Sequence, residues 1–157
     1  MVYWIALLVC LALCFAVAAW SGRWSAAAIP VWYATLRKPR LTPPNALFAP
    51  VWTALYALMA FAVWRVWLHA PSPWRTVALA AFVLQLLLNL GWSWIFFARR
   101  AIGWALFELL CLWVAIAAAT LLAGRLAPEA VWMMAPYWLW VSFAGLLNYG
   151  LWRLNRN

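Results

Sequence analysis

Between Arg75 and Arg99 the chain reads TVALAAFVLQLLLNLGWSWIFFA (residues 76–98), 23 residues without a charged side chain. At about 1.5 Å of rise per residue, a helix of this length reaches roughly 35 Å. That is enough to cross a hydrocarbon core about 30 Å thick with some tilt. Backbone groups in lipid must be satisfied within the segment, and barrel strands are far shorter, so the run reads as a transmembrane helix. Four more runs have similar length, three of them likewise uncharged and one holding a single acid, Glu108. Met1–Gly22 ends at Arg23, 41–64 lies between Arg40 and Arg65, 101–124 between Arg100 and Arg125, and 130–152 between Glu129 and Arg153. The sequence therefore predicts an all-α integral membrane protein, a bundle of five transmembrane helices in a single domain over 1–157. The spans fall near 2–22, 46–67, 76–98, 101–123 and 130–152, with a long loop between helices one and two.

Composition says the same and excludes much else. Of 157 residues, 71% are hydrophobic and 8% charged, with a mean hydropathy of +0.94. A soluble domain this short needs a polar exterior that so few charges cannot supply. Eleven Lys and Arg against two acids leave a net charge of +9, which in a soluble chain would suggest nucleic acid. Here the basic residues punctuate apolar runs, so the lipid bilayer is the expected partner and nucleic acid is not. With no Asp, one His (His69) and three Cys (Cys10, Cys14, Cys111), a Ser-His-Asp triad, a carboxylate pair and a protein-built metal cage are all excluded.

Loop charges set the expected orientation. One side carries Arg23, Arg37, Lys38, Arg40, Arg99, Arg100, Arg153 and Arg156; the other carries Arg65, Arg75 and Arg125. Eight against three places the N-terminus outside and the C-terminus in the cytoplasm of a bacterial cell membrane. The first run lacks the basic start and the small-residue cleavage site of a signal peptide and is read as a helix that stays. Residues 21–45 form the long connection. Within it Pro30 is expected to start a short helix carrying Trp32, Tyr33 and Leu36, and Pro39 to end it. A loop of this length suggests a lid, with closure of residues 29–40 controlling access.

Inside the spans the few polar atoms fall into faces. Gln85, Asn89, Ser93 and Phe96 recur at spacings of four, four and three, with Trp92 beside them, so this face should point into the bundle. Helix–helix bridging and ligand contact explain it equally well. Glu108 is the one acid inside a span, and such a carboxylate should face inward, paired or protonated; a proton or ligand site and a structural hydrogen-bond partner both remain open. Helix two presents Trp52, Tyr56, Met59, Val63 and Trp67 along one stripe, preceded by Phe48. Helix five presents Tyr137, Trp140, Ala144 and Asn148. Two aromatic stripes, an amide face and an aromatic connection point to a large, flat, apolar ligand rather than to packing alone. Leu147, Tyr149 and Arg153 match the weak cholesterol pattern L/V-x-Y-x-K/R. Small residues such as Ala78 and Ala81 on helix three would permit a close homodimer.

At this point a resemblance becomes specific. WYATLRKPRLTPPNALFAPVWTALYALM (Trp32 to Met59) resembles the signature of the TspO/MBR family, the tryptophan-rich sensory proteins of bacteria and the mitochondrial translocator protein or peripheral-type benzodiazepine receptor. The matching pieces are WY, KP, PP and the F-x₃-W-x₃-Y run, followed by QLLLNLGWSWIFF, PYWLW and GLLNYGLWRLNRN. The resemblance implies a receptor or transporter for porphyrins of the protoporphyrin IX type, for sterols and for benzodiazepine-type drugs, with no cofactor required beyond the porphyrin as ligand. Carried over by motif, the pocket would be lined by Trp32, Tyr33, Phe48, Trp52, Tyr56, Asn89, Trp92, Trp140 and Ala144. Trp52 and Asn89 would be the donors to the ligand. The sterol motif would be Leu147, Tyr149 and Arg153. The alternative it implies is an enzyme degrading porphyrin in light and oxygen, with Trp52 and Trp140 as the electron-supplying residues.

Overall fold

The chain is described from residue 2 to residue 156 in a computed structural model. Five long helices account for most of it: α1 (Val2–Ala28), α2 (Phe48–Trp67), α3 (Pro73–Ser93), α4 (Ile102–Gly124) and α5 (Pro128–Asn155). Each is long and apolar enough to cross a membrane. Around the bundle α1 lies beside α2, α2 beside α5, α5 beside α4, α4 beside α3, and α3 closes the ring against α1.

Helix α1 corrects the expected first boundary. Instead of stopping at Gly22 it runs on through the alanines 26–28 into a π turn over Ile29–Tyr33, and remains helical to Thr35. Alanine is the best helix former, and one internal glycine costs only about 1 kcal/mol, so nothing at 21–25 ends the helix. Pro30 has no N–H to give to the preceding turn, and the wider π turn absorbs the missing bond instead of breaking the helix. Trp32 and Tyr33 therefore sit on the end of α1, not on a separate loop helix, and the connection shrinks to residues 36–44. Arg23 is likewise an exposed residue of α1, its guanidinium 6.0 Å from the Trp20 ring, not a loop charge. The balance between the two ends becomes seven against three.

The other junctions follow local chemistry. Ser72 caps α3 by accepting from the Arg75 backbone N–H at 3.1 Å, with Pro73 in the first turn. Arg75 then donates to the His69 carbonyl at 2.7 Å and lies over the Trp67 ring. Helix α3 loosens into a second π turn, Trp94–Ala98, and the chain reverses at Arg100, the residue with a left-handed φ of 56°. At the same end as Ser72, Arg65 of α2 pairs with Glu129 of α5. The remaining connection, 36–44, is tied to α5. Asn155 accepts from the Arg37 N–H at 3.0 Å and donates to the Arg37 carbonyl at 2.9 Å. Pro39 rests on Gly150, where a Cβ would come within 2.5 Å of the proline ring.

The bundle interior has two halves. Toward the Arg65–Glu129 end, Met59, Ala60, Ala62, Val66, Ile116 and Met134 interdigitate with no more than 2% of any of them exposed. Midway lies a polar layer. The Tyr56 hydroxyl donates to Asn89 Oδ1 at 2.5 Å, and Asn89 Nδ2 donates to the Tyr137 hydroxyl at 3.0 Å. Beyond that layer, toward residues 36–44, the interior is hollow.

Two outcomes follow from this packing. Gly150→Ala should lower stability by about 1–3 kcal/mol because Pro39 must move, whereas Gly22→Ala, with nothing within 4 Å of the new carbon, should raise it by up to about 1 kcal/mol. Thermal unfolding in detergent reads both. Asn89→Ala should be costly because it strands two buried phenols, at about 1–3 kcal/mol each. Replacing all three groups together (Tyr56→Phe, Asn89→Leu, Tyr137→Phe) should cost less than Asn89→Ala alone; a triple variant that is the less stable would show that the layer is more than mutual satisfaction.

Candidate ligand-binding site

The hollow half holds a cavity of about 370 Å³, within the usual range for small-molecule sites. Its floor is Tyr56, with the Trp52 ring 5.6 Å from Tyr56 and edge-on to Tyr137 at 6.2 Å. Phe48 and Trp140 form one side, their rings edge-on at 6.0 Å. Trp92 and Phe96 stack at 5.2 Å to form the opposite side. Tyr33 closes the far end, its ring 6.3 Å from Phe96. Ala144 lines the cavity one turn beyond Trp140 on α5, and Leu147 about one turn further.

Eight of the residues expected from sequence thus line one cavity: Tyr33, Phe48, Trp52, Tyr56, Trp92, Trp140, Ala144 and Leu147. Others lie elsewhere. Trp32 packs edge-on against Phe96 at 5.6 Å from outside the wall. Asn89 is not on the wall: it stands behind Tyr56, accepting from the Tyr56 hydroxyl and donating to the Tyr137 hydroxyl, and so positions the floor. The sterol triad is split. Leu147 points into the cavity, whereas Tyr149 and Arg153 are exposed on the outside of α5, the guanidinium 5.9 Å from the phenol ring. Four residues separate Tyr149 from Arg153 but only two separate Leu147 from Tyr149, which on a helix turns the leucine to a different face.

Glu108 belongs to the α3–α4 interface and not to the cavity. Both carboxyl oxygens are buried without a hydrogen-bond partner, beside Gly91, where a Cβ would lie 3.6 Å from Oε1. Ala78 is 3% exposed and faces the interior, so it cannot form a surface for a second copy.

The structure also adds walls that the sequence reading passed over. One face of α1 lines the cavity through Ala18, Ser21, Gly22, Ser25 and Ala26, spaced three and four apart. Asn45, Ala49 and Thr53 do the same from the start of α2. The signal was present as a helical row of small and hydroxylic residues, hidden because it continues past the expected end of the span. Phe96 and Phe97 both reach the cavity although adjacent in sequence; the π turn shifts the register of α3 and allows it.

Chemically the wall is aromatic with sparse polar atoms. Trp92 spends its N–H on Asn148 Oδ1 at 3.2 Å, and Asn148 donates to the Ile102 carbonyl at 2.9 Å. The Trp140 N–H and the Ser21 hydroxyl are buried with no partner. No charged side chain is on the wall among the described residues, but the Lys38 ammonium lies over the outer face of Tyr33, 4.9 Å from its centroid. Such a site suits a flat, largely apolar molecule with a few acceptors and an acidic edge near the basic end of the bundle.

Comparison with known proteins agrees with this architecture. The TspO/MBR family pattern matches residues 6–153. The chain is 41% identical to the translocator protein of Bos taurus over 128 residues, covering 80% of this chain and 75% of that one. It is 40% identical to the Homo sapiens translocator protein over 126 residues, covering 79% and 75%. Against the tryptophan-rich protein TspO of Chlorobaculum tepidum it is 35% identical over 153 residues, 95% of either chain. A match from the first turns of α1 to the end of α5, together with five spans and the tryptophan-rich interior, shows that the chain belongs to the TspO/MBR family.

Proposed function

We propose that this membrane protein binds a tetrapyrrole of the protoporphyrin IX type in the cavity between α1, α2, α3 and α5, and serves in its sensing or transport. The observation that carries the reading is the ring-walled hollow itself, with Phe48, Trp52, Tyr56, Trp92 and Trp140 presented to one space instead of filling it. Burial of a flat macrocycle against these rings supplies affinity at about 25 cal/mol per Å² of apolar surface. Orientation would come from the free Trp140 N–H and from Lys38 and the loop arginines, which can meet propionates by charge-assisted bonds. Sterols and benzodiazepine-type drugs fit the same chemistry as flat, apolar occupants. No resident cofactor is needed for binding.

The membrane is read as a bacterial cell membrane, with residues 36–44 and the C-terminus on the cytoplasmic side, because seven basic residues gather there against three at the other end. A homodimer is retained as part of the proposal, through a surface other than Ala78.

A second reading, porphyrin breakdown in light and oxygen, is favoured by one feature. Trp52 and Trp140 both belong to the cavity wall, within reach of an excited macrocycle.

Trp52→Ala should weaken protoporphyrin binding about five- to tenfold, equivalent to roughly 1–1.4 kcal/mol, in a fluorescence titration of the purified protein. An unchanged titration would remove the site. Under illumination the Trp52→Phe/Trp140→Phe pair should bleach the Soret band no faster than free porphyrin in detergent; bleaching equal to that of the unmodified protein would remove the enzyme reading.

A further inference from the structure

The end of the cavity nearest residues 36–44 is shut. Tyr33 is 6% exposed and lodged against Phe96, and Leu151 is 3% exposed beside it. Above them Pro39 sits on Gly150 and Asn155 grips Arg37 through two hydrogen bonds. A ligand passing this way would have to break the Asn155 bonds and lift the proline.

The side is open. Five cavity-lining residues are exposed, and all five come from one seam: Gly22 and Ala26 of α1, and Asn45, Ala49 and Thr53 at the start of α2. Wall residues from α3 and α5 are buried or half-buried. The same two helices are fastened at their other ends. Trp4 stacks on Trp64 at 6.4 Å, the Trp64 N–H donates to the Tyr3 carbonyl at 3.0 Å, and Cys14 is fully buried. The seam therefore parts in its second half. Gly22 lies eleven residues before Tyr33, roughly 16 Å down the helix, and Thr53 lies about one and a half turns into α2, so the gap is at lipid depth. Gly22, Ala26 and Ala49 carry no side chain beyond Cβ, which leaves a slit rather than a round hole. Behind it the Ser21 hydroxyl and Trp140 N–H wait without partners.

We infer that ligands reach this cavity sideways from the bilayer, edge-on through the slit between α1 and the first turns of α2, and not beneath the 36–44 connection. The inference rests on the porphyrin-binding reading and specifies the class of ligand: a flat amphiphile already dissolved in the membrane. Partition into lipid concentrates such a molecule beside the slit, and its thin dimension matches a gap bounded by glycine and alanine. Its acidic edge can stay near Asn45 and the basic end of the bundle while the apolar body slides inward.

The test uses the full chain in lipid nanodiscs, with protoporphyrin IX as probe and stopped-flow fluorescence as readout. Gly22→Leu/Ala49→Leu, which narrows the slit, should slow association by about tenfold and slow dissociation as well. Asn155→Ala, which frees the connection, should leave both rates within about twofold of the unmodified protein. Unchanged rates in the leucine pair, or faster exchange in Asn155→Ala, would overturn the lateral route. A second measurement needs no substitution. At fixed free aqueous porphyrin, association should rise in proportion to the porphyrin dissolved in the nanodisc lipid as lipid composition changes its partitioning, whereas a rate set only by aqueous porphyrin would overturn the inference even if the leucine pair misfolds. Lack of saturable binding to the unmodified chain would instead remove the porphyrin reading, and the route for it with it.

Discussion

Two phenols and one carboxamide meet in the middle of a hydrocarbon-embedded bundle, and the rest of the molecule is arranged around that meeting. In lipid no water can satisfy a stranded donor, so Tyr56, Asn89 and Tyr137 must satisfy one another. They come from three different helices, α2, α3 and α5, and mutual satisfaction fixes the rotation of each about its axis. Once Tyr56 is held, Trp52 one turn away is held against it, and with Trp52 the floor of the cavity. A carboxamide committed on both sides is a rigid spacer. Asn89 acts on a ligand through the tyrosine it positions.

Below that layer the side chains interlock; above it they do not, and the difference traces to α1. Its inward face at this level is Ser21, Gly22, Ser25 and Ala26, too small to fill the space left by the rings of the other helices. An empty, closed void of about 370 Å³ would cost on the order of 9 kcal/mol at about 24 cal/mol per Å³. That equals the whole stability of an ordinary domain. A gap to the bilayer changes the problem, because acyl chains can occupy the space until a better-matched flat molecule displaces them. Small residues on α1 and the lateral slit are thus two aspects of one solution: the site is kept hollow without being kept empty.

Much of this was legible in the residues. Long runs free of basic residues mark the five spans, and the row Gln85, Asn89, Ser93, Phe96 turns inward as its spacing requires, with none of them more than 6% exposed. What the spacing could not say is whether an inward amide meets a ligand or a neighbour; that depends on Tyr56 and Tyr137, each from a different helix. The long first loop is shorter than the sequence predicts because Pro30 does not start a new helix: a π turn carries α1 through the proline at the cost of one bond. Register shifts of this kind are invisible to a 3.6-residue count. Both π turns, Ile29–Tyr33 and Trp94–Ala98, contribute rings to the closed end of the cavity, so the irregular backbone lies where sequence periodicity is least informative and the site most needs aromatic surface. The residues of the sterol pattern are separated for the opposite reason. A linear motif ignores helical geometry, and Leu147 is turned away from Tyr149 and Arg153.

The fastenings show where the bundle can yield. At one end Arg65 ties α2 to α5 through Glu129, and Ser72 with Arg75 sets the turn into α3. At the other, Asn155 and Gly150 hold the 36–44 connection on α5. Between α1 and α2 the polar and stacking contacts gather near Trp4 and Trp64, a full helix length from Ile29. The other end of α1 is held as well, through Trp32 and Tyr33 against Phe96 and through the connection that Asn155 ties to α5. Between the two fastened ends α1 faces α2 through Gly22 and Ala26, where few side-chain atoms bridge the seam, and the gap they leave is turned toward the phase in which a flat apolar ligand dissolves.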